Sequence, residues 1–165
     1  MSLRTLVTRT GPALAATALL GSLGTKPKSE WYQDLEKPPW QPPAWLFGPV
    51  WTSIYAATAV SAARTRDRLG EGERRQFDVL LGTNLARNVG FSWLFFASKR
   101  PGLALVDQLA LQATTLELLR RSARTDRAAG ALLVPYAAWN TFAIALNAEV
   151  VRRNGLVPSL PGPSA

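Results

Sequence analysis

The side chains with which this chain could perform chemistry are aromatic rings, amides and a few carboxylates. Its 165 residues include six tryptophans and three tyrosines, but no cysteine and no histidine. These gaps exclude disulfides, thiolate or imidazole metal sites, Cys- or His-based catalysis and the commonest axial ligands of haem iron. We therefore expect no metal site, and any activity must use carboxylates, amides and aromatic rings.

The positive charge of the chain is clustered. A net charge of +8 would by itself suit a nucleic-acid-binding protein. The arginines occur in blocks, however, and the long stretches between the blocks carry almost no charge. This pattern is typical of loops that flank membrane-spanning helices, so we expect no nucleic-acid partner. The two main blocks are Arg64, Arg66, Arg68, Arg74 and Arg75, and Arg120, Arg121, Arg124 and Arg127.

Five apolar segments separate these charges and indicate an all-α integral membrane protein. Mean hydropathy over the whole chain is near zero, but local segments decide membrane insertion. Each segment has close to the ~20 residues that a helix needs to cross ~30 Å of hydrocarbon. The first segment could instead be a signal peptide. The prediction is a five-transmembrane-helix bundle in one domain, 1–157, with helices at about 5–24, 45–63, 77–98, 102–119 and 128–151.

The connections between the segments differ in charge and composition. Eleven Lys and Arg flank the segments on the N-terminal side, against seven on the other side. The positive-inside rule therefore places the N-terminus in the cytoplasm. In the first loop, 25–44, the pairs Pro38-Pro39 and Pro42-Pro43 exclude a continuous helix and predict a stiff, extended element lying on the bundle. The tail, 158–165, contains three prolines and is predicted to be disordered.

The third segment has two chemically different faces. Residues advance by about 100° along a helix, which places Asn84, Asn88, Phe91 and Phe95 on one side. The amides should face the bundle interior, where they either contribute to a pocket or only join helices by hydrogen bonds. A stripe of small residues on the reverse face suits either a second copy of the chain or a neighbouring helix of the same chain. The stripe comprises Gly82, Ala86 and Gly90.

Three stretches of sequence carry a resemblance to a known family. The first is WYQDLEKPPWQPPAWLFGPVWTSIY, from Trp31 to Tyr55. The second is NVGFSWLFF, from 88 to 96, and the third is PYAAWNTFAIALN, from 135 to 147. They are similar to the signature of the translocator proteins, also called tryptophan-rich sensory proteins or peripheral-type benzodiazepine receptors, which form the TspO/MBR family.

The resemblance implies a bacterial-type membrane receptor or sensor with five helices. Its expected ligands are tetrapyrroles, protoporphyrin IX or haem, and isoquinoline- or benzodiazepine-type compounds, in a pocket that opens toward the first loop. Light-dependent degradation of porphyrins is an alternative, in which Trp31, Trp51 and Trp139 would be oxidised or donate electrons. Transport of porphyrins or other apolar metabolites is a third hypothesis. The resemblance also implies a homodimer in the bacterial cell membrane, in contact with lipid and with no required cofactor.

The pocket positions of the family are carried over to the residues that match them. Flat indole rings suit a flat macrocycle. Trp45 and Trp40, by contrast, are assigned to the aromatic belt at the membrane surface. Arg87 should pair with Asp107 or Glu117 or reach water in a cavity, and it could otherwise bind a propionate of the ligand. The expected ligand-binding residues are Trp31, Tyr32, Pro42, Phe47, Trp51, Tyr55, Asn84, Asn88, Phe91, Trp139, Phe142 and Ala143.

Overall fold

The computed structural model describes residues 2–157, and these residues form six helices and no strand. The tail that was predicted to be disordered lies outside the described residues. Helix α1 consists of Leu3–Thr5, the π-helical turn Leu6–Thr10 and Gly11–Gly24. The others are α2 (Glu30–Asp34), α3 (Ala44–Arg66), α4 (Glu71–Ser92, continued by the π-helical turn Trp93–Ala97), α5 (Pro101–Thr125) and α6 (Arg127–Asn154).

Caps and prolines set the helix ends. Pro101 begins α5, a position at which its missing N–H would have no helical partner. The Asp126 carboxylate accepts a hydrogen bond from the backbone N–H of Ala128 at 3.0 Å and so caps α6. Helices α3 to α6 extend beyond the apolar segments of the sequence because their polar first and last turns continue the helical hydrogen bonding.

The first loop contains a short helix that the sequence analysis did not anticipate. Helix α2 begins after Ser29, whose hydroxyl accepts a hydrogen bond from the N–H of Tyr32 at 3.4 Å. The proline pairs start only at Pro38, so nothing prevents a helical turn before them. Residues 35–43 form no regular helix. The expected stiff, non-helical element is therefore confined to the part of the loop that follows α2.

Polar side chains lie inside the bundle and many large apolar side chains lie outside. The buried polar residues include Thr58, Asn84, Asn88, Gln108, Thr115, Asn140 and Asn147. The exposed apolar residues include Leu19, Leu20, Val79, Val106, Leu109, Leu116 and Val134. Within residues 2–157, α6 is the one helix that by its own length and composition could cross a membrane. By that criterion alone the structure supports one spanning helix, against the five predicted.

Helix α6 lies at the centre of the packing. It packs most extensively against α5 and also against α3, while α4 packs against α5 and α1. The helices α5 and α6 approach closely near the turn that joins them, where a Cβ added to Gly130 would lie 2.5 Å from the Cβ of Ala123. Small residues permit this approach, and a larger residue at either position would separate the two helices.

Ion pairs join α3 to the neighbouring helices at one end of the bundle. Asp126 accepts from Arg64 Nε at 2.7 Å and from Arg68 Nη1 at 2.6 Å, and its side chain is only 8% exposed. Arg66 holds Asp78 of α4 through two hydrogen bonds of 2.5 and 2.7 Å. The hydrogen bond from Arg64 holds the pKa of Asp126 below its ordinary value. These contacts fix the end of α3 against α4 and against the start of α6.

We expect Asp126→Ala to lower the thermal unfolding temperature in detergent at neutral pH, because two arginines lose their partner and α6 loses its cap. Since the folded-state pKa of Asp126 is lowered, the stabilisation is fully present above about pH 4 and is lost as the pH falls through the lowered pKa. Circular dichroism melts should therefore show a smaller difference between wild type and variant in acid than at pH 7.

Asp126→Asn is the matched control for this comparison, because asparagine keeps the helix cap but not the charge. Its unfolding temperature at neutral pH should lie between those of the wild type and Asp126→Ala. If the difference between the wild type and Asp126→Ala were the same in acid and at pH 7, the ion pairs would not contribute to stability.

Candidate functional site

Rings from α3 and α6 pack against each other inside the bundle. Trp51 and Tyr55 lie one turn apart in α3, and their ring centroids are 5.4 Å apart. The Tyr136 ring of α6 meets Trp51 edge-on, with centroids 6.1 Å apart. A second set of ring contacts joins Trp139 to Phe142, with centroids 5.3 Å apart, and to Phe47, with centroids 5.6 Å apart. We call the whole set the aromatic wall, and it consists of Phe47, Trp51, Tyr55, Tyr136, Trp139 and Phe142.

Helix α2 is anchored to the end of α4 by its own set of aromatic contacts. Trp31 is 3% exposed, and its ring lies 5.7 Å from that of Phe95 in an edge-on contact. Tyr32 packs on the same α4 turn, 6.2 Å from Phe95 and 5.1 Å from Phe96. Residues of α5 and α6 complete this cluster. Two aromatic side chains therefore fix the start of the loop to the end of α4.

The rest of the loop extends from this anchor to the aromatic wall. The Gln41 amide donates to the hydroxyl of Tyr32 at 3.3 Å, and the neighbouring Trp40 ring meets Phe142 edge-on at 5.9 Å. The Lys37 ammonium lies 4.8 Å from the centre of the Tyr32 ring and donates to two loop carbonyls. Burial lowers the pKa of Lys37. The loop thus covers one end of the bundle and carries a partly buried cation.

A pair of hydrogen bonds fastens the loop to the C-terminal end of α6. The backbone N–H of Glu36 donates to Asn154 Oδ1 at 2.8 Å, and Asn154 Nδ2 donates to the carbonyl of Glu36 at 2.9 Å. One amide side chain therefore satisfies both backbone groups of a residue 118 positions away. We call this pair the loop latch.

Buried amides and phenols form a hydrogen-bonded network behind the aromatic wall. Asn88 accepts from the Tyr55 hydroxyl at 2.6 Å and donates to the Tyr136 hydroxyl at 3.2 Å. The Tyr136 hydroxyl in turn donates to Asn84 Oδ1 at 3.0 Å, and Asn84 Nδ2 donates to Thr115 Oγ1 at 2.9 Å. The network therefore connects α3, α4, α5 and α6, and it fixes the two tyrosines of the wall.

The family assignment follows from comparisons with known proteins. The TspO/MBR family model matches residues 10–153. The chain belongs to the TspO/MBR family. A tryptophan-rich sensory protein of Cereibacter sphaeroides is 36% identical over 142 residues, which is 86% of this chain and 87% of that protein. The tryptophan-rich protein TspO of Chlorobaculum tepidum is 36% identical over 144 residues, covering 84% and 89%. The translocator protein of Homo sapiens is 38% identical over 131 residues, 75% of each chain.

The resemblance recognised in the sequence motifs is thereby confirmed, and the motif residues can be placed in the structure of this family member. Those in the aromatic wall are Phe47, Trp51, Tyr55, Trp139 and Phe142. Those in the cluster that anchors α2 are Trp31, Tyr32 and Phe91. Trp31 makes its ring contact with Phe95 and not with Trp51 or Trp139. Pro42 in the loop and Ala143 beside Phe142 are half-buried.

The two asparagines of α4 differ in their surroundings. Asn84 is 0% exposed, and its oxygen and nitrogen are both hydrogen-bonded to neighbouring helices. Its contacts match the interpretation that it joins helices. Asn88 lies beside the wall, because its oxygen accepts from Tyr55. Of the two, Asn88 is the one whose side chain directly positions a ring that was expected to bind ligand.

Several residues of this arrangement were missed or assigned elsewhere. Tyr136, fully buried at the centre of the network, lies in the PYAAWN motif, three positions before Trp139. That spacing places both rings on one helix face and was a usable signal. Trp40, assigned to the membrane-surface belt, contacts Phe142 of the wall. Asn154 carried no sequence signal, because its partner is distant along the chain.

Arg87, whose side chain is 41% exposed, forms an ion pair across the contact of α4 and α5. Its Nη1 lies 2.9 Å from Asp107 Oδ1, which confirms one of the two predicted partners. Glu117, the other candidate, pairs instead with Arg120 and Arg121, three and four residues further along α5. The Arg87 guanidinium is therefore held at the α4–α5 contact.

The stripe of small residues on α4 is divided between the surface and the bundle. Ala86 is exposed, and a Cβ added to Gly82 would meet no atom within 4 Å. A Cβ added to Gly90 would lie 3.4 Å from Asp107 Oδ2. Gly82 and Ala86 thus face outward in this chain, whereas Gly90 faces α5.

We expect Asn154→Ala to release the loop while leaving the helices folded, since it removes both hydrogen bonds of the loop latch. Hydrogen exchange followed by mass spectrometry should show the amides of residues 31–36 exchanging about thirtyfold faster, as two bonds of ~1 kcal/mol each predict. Asn154→Asp keeps the acceptor for the Glu36 N–H and should fall in between. Arg152→Ala, in the same helical turn, should not alter this exchange, and equal exchange in Asn154→Ala and wild type would show that the latch does not hold the loop.

Proposed function

We propose that this chain is a multi-pass membrane receptor or sensor and that α1, α3, α4, α5 and α6 all cross the membrane. The distribution of polarity supports this proposal, because amides and hydroxyls lie inside while leucines and valines lie outside. Side chains face this way when a bundle is surrounded by hydrocarbon. The lengths are also sufficient, since the 22 residues of Glu71–Ser92 alone span about 33 Å.

The proposed location is the bacterial cell membrane, with lipid as the surrounding partner. The tryptophan-rich relatives named above come from bacteria. The α3–α4 and α5–α6 turns carry both main blocks of arginine and lie at one end of the bundle, which the positive-inside rule assigns to the cytoplasm. The loop and its latch then lie on the opposite side of the membrane.

The proposed ligand is a tetrapyrrole, protoporphyrin IX or haem, bound between the aromatic wall and the first loop. The observation that carries this proposal is the aromatic wall itself, which consists of six rings from α3 and α6. The Trp-rich loop contacts the wall through Trp40. Because the chain has no His or Cys, ring stacking and apolar contact would hold the macrocycle without the usual axial ligands. Isoquinoline- and benzodiazepine-type compounds are also flat and aromatic, and we propose the same site for them.

The residues of the site have distinct proposed roles. Trp51 and Trp139 provide the stacking surfaces. Lys37 is the cation of the loop and would attract a propionate carboxylate. The Trp40 ring lies against Phe142, so a macrocycle that reaches the wall must displace the loop at this point. Ligand binding would therefore be coupled to movement of the loop against its latch.

We expect Trp51→Ala and Trp139→Ala each to weaken protoporphyrin IX binding by about tenfold or more, because each removes a large, half-buried ring from the proposed stacking surface. Absorbance of the porphyrin, titrated with purified protein in the dark, measures this without depending on tryptophan emission. Trp45→Ala is the matched control, since Trp45 belongs to the same helix but is 71% exposed. Unchanged binding in both wall variants would place the ligand elsewhere.

The same complex under illumination distinguishes the receptor from a porphyrin-degrading enzyme. A receptor leaves the absorption bands of the bound porphyrin stable in light. Conversion to a new product, lost in the two wall variants, would mean that the site catalyses a reaction.

We also propose a homodimer that forms through α4. The outward-facing Gly82 and Ala86 support it, because small residues let two helices approach closely in lipid. A contact between identical stripes would have two-fold symmetry. Gly90 contributes less to such a contact, since it faces Asp107 of its own chain.

We expect Ala86→Leu to convert the dimer to a monomer in detergent while porphyrin affinity changes little, because Ala86 lies on the surface away from the aromatic wall. Size-exclusion chromatography with light scattering measures the mass. Ala131→Leu makes the same change at an exposed position of α6 and should leave the dimer intact. A dimer that persists in Ala86→Leu would exclude this face as the interface.

A further inference from the structure

A cavity of about 690 Å³ lies at the arginine-rich end of the bundle, on the side opposite the first loop. It is bounded by α1, by the turn between α3 and α4, and by the first two turns of α4. Its charged lining includes four arginines, Arg9, Arg66, Arg74 and Arg75. None of these residues belongs to the aromatic wall or to the loop, so the cavity is separate from the proposed porphyrin site.

The lining arginines differ in how far they are already paired. Arg66 is held by both oxygens of Asp78. Arg74 donates one bond, from Nη2 to the carbonyl of Leu69 at 2.8 Å, while its buried Nε has no hydrogen-bond partner among residues 2–157. Arg9 and Arg75 are exposed, and the described part of the chain gives them neither an ion pair nor a side-chain hydrogen bond. Three guanidinium groups therefore retain unused donors at one cavity.

The carboxylates of the cavity do not neutralise these three groups. Asp78 is occupied by Arg66. Asp67 accepts from the Thr5 hydroxyl at 2.6 Å and from the backbone N–H of Ser2. Glu71 forms no ion pair in the described residues, and the lining as a whole holds four arginines against the three carboxylates of Asp67, Glu71 and Asp78. The cavity therefore favours an anion, and guanidinium donors match the geometry of a phosphate.

An apolar groove continues from the cavity along the contact of α1 and α4. It has a volume of about 360 Å³, shares Arg9, Arg66 and Asp78 with the cavity, and borders the proposed dimer face at Gly82. Beyond the three shared residues α1 contributes Thr8, Thr10 and Ala13 to its lining, and α4 contributes the apolar residues Leu81, Gly82 and Leu85. A free phosphate would leave this groove unused. A molecule with an anionic head and a hydrocarbon chain would occupy both parts.

We infer that this end of the bundle binds one anionic phospholipid, with its phosphodiester among Arg9, Arg74 and Arg75 and one acyl chain along the α1–α4 groove. The inference relies on the proposed membrane location, which puts the cavity at the cytoplasmic leaflet, where anionic lipids attract basic side chains. Such a lipid would connect α1 to α4, two helices whose described contact at this end includes few polar bonds. It would act as a bound structural ligand, distinct from the surrounding bilayer.

The test uses the full chain in detergent and monitors its thermal unfolding by tryptophan fluorescence. Either phosphatidylglycerol or phosphatidylcholine, with the same acyl chains, is added in increasing amounts. A ligand that binds only the folded state raises the unfolding temperature. Phosphatidylglycerol should raise it by several degrees and phosphatidylcholine by much less. Native mass spectrometry should find one phosphatidylglycerol retained per chain.

The decisive variants differ only in where two charges are removed. Arg9→Gln with Arg75→Gln should require about thirtyfold more phosphatidylglycerol for the same shift, as two surface arginines at ~1 kcal/mol each predict. Arg124→Gln with Arg127→Gln removes two exposed, unpaired arginines at the same end but outside the cavity, and it should behave as wild type. Both double variants should bind protoporphyrin IX normally, which separates a failure of this inference from a failure of the proposed receptor.

Three outcomes would overturn the inference. Equal shifts with the two lipids would remove the requirement for an anionic headgroup. Equal losses in the two double variants would mean diffuse attraction to the charged end of the bundle. A full shift with inorganic phosphate at matched ionic strength would assign the cavity to a free anion and leave the groove without a role.

Discussion

The hydrogen bonds among Asn84, Asn88, Tyr55 and Tyr136 are the constraint on which the rest of the structure depends. In hydrocarbon, helices gain little from burying apolar side chains against each other, so polar contacts and close packing decide their arrangement. An unpaired amide there costs several kcal/mol, so each member of the network requires its partners. Since the partners lie on α3, α4 and α6, with Thr115 on α5, satisfying the amides fixes four helices at once.

The same constraint positions the candidate ligand site. Tyr55 lies one turn after Trp51 and Tyr136 lies one turn before Trp139, so the hydrogen bonds that hold the phenols also set the rotation of both helices. Polar groups behind the aromatic wall thus orient its rings. Asn88 therefore contributes to the site by positioning Tyr55 and Tyr136, although both of its own polar atoms are already hydrogen-bonded to these tyrosines.

Much of this arrangement was accessible from sequence, and the failures have identifiable causes. The Asn face of α4 followed from helical periodicity, and Asp107 was one of two partners that the cost of a charge in lipid suggested for Arg87. The aromatic motifs were assigned from the resemblance to the family. The sequence did not predict that Trp31 lies apart from Trp51 and Trp139, because the position of Trp31 depends on a turn of helix that begins after Ser29 within the loop. The latch at Asn154 joins residues 118 apart, a contact that no local pattern records.

Helix α6 connects these features physically, and this gives the proposed receptor a way to respond. Its first turn is held by Asp126, its middle carries Tyr136 and Trp139, and its last turn holds the loop through Asn154. A macrocycle that displaces Trp40 from the wall would act on the loop and on α6 together. Because α6 is also the helix most extensively packed against α5, a displacement at the wall would be passed to its neighbours through close-packed side chains and would not be absorbed locally.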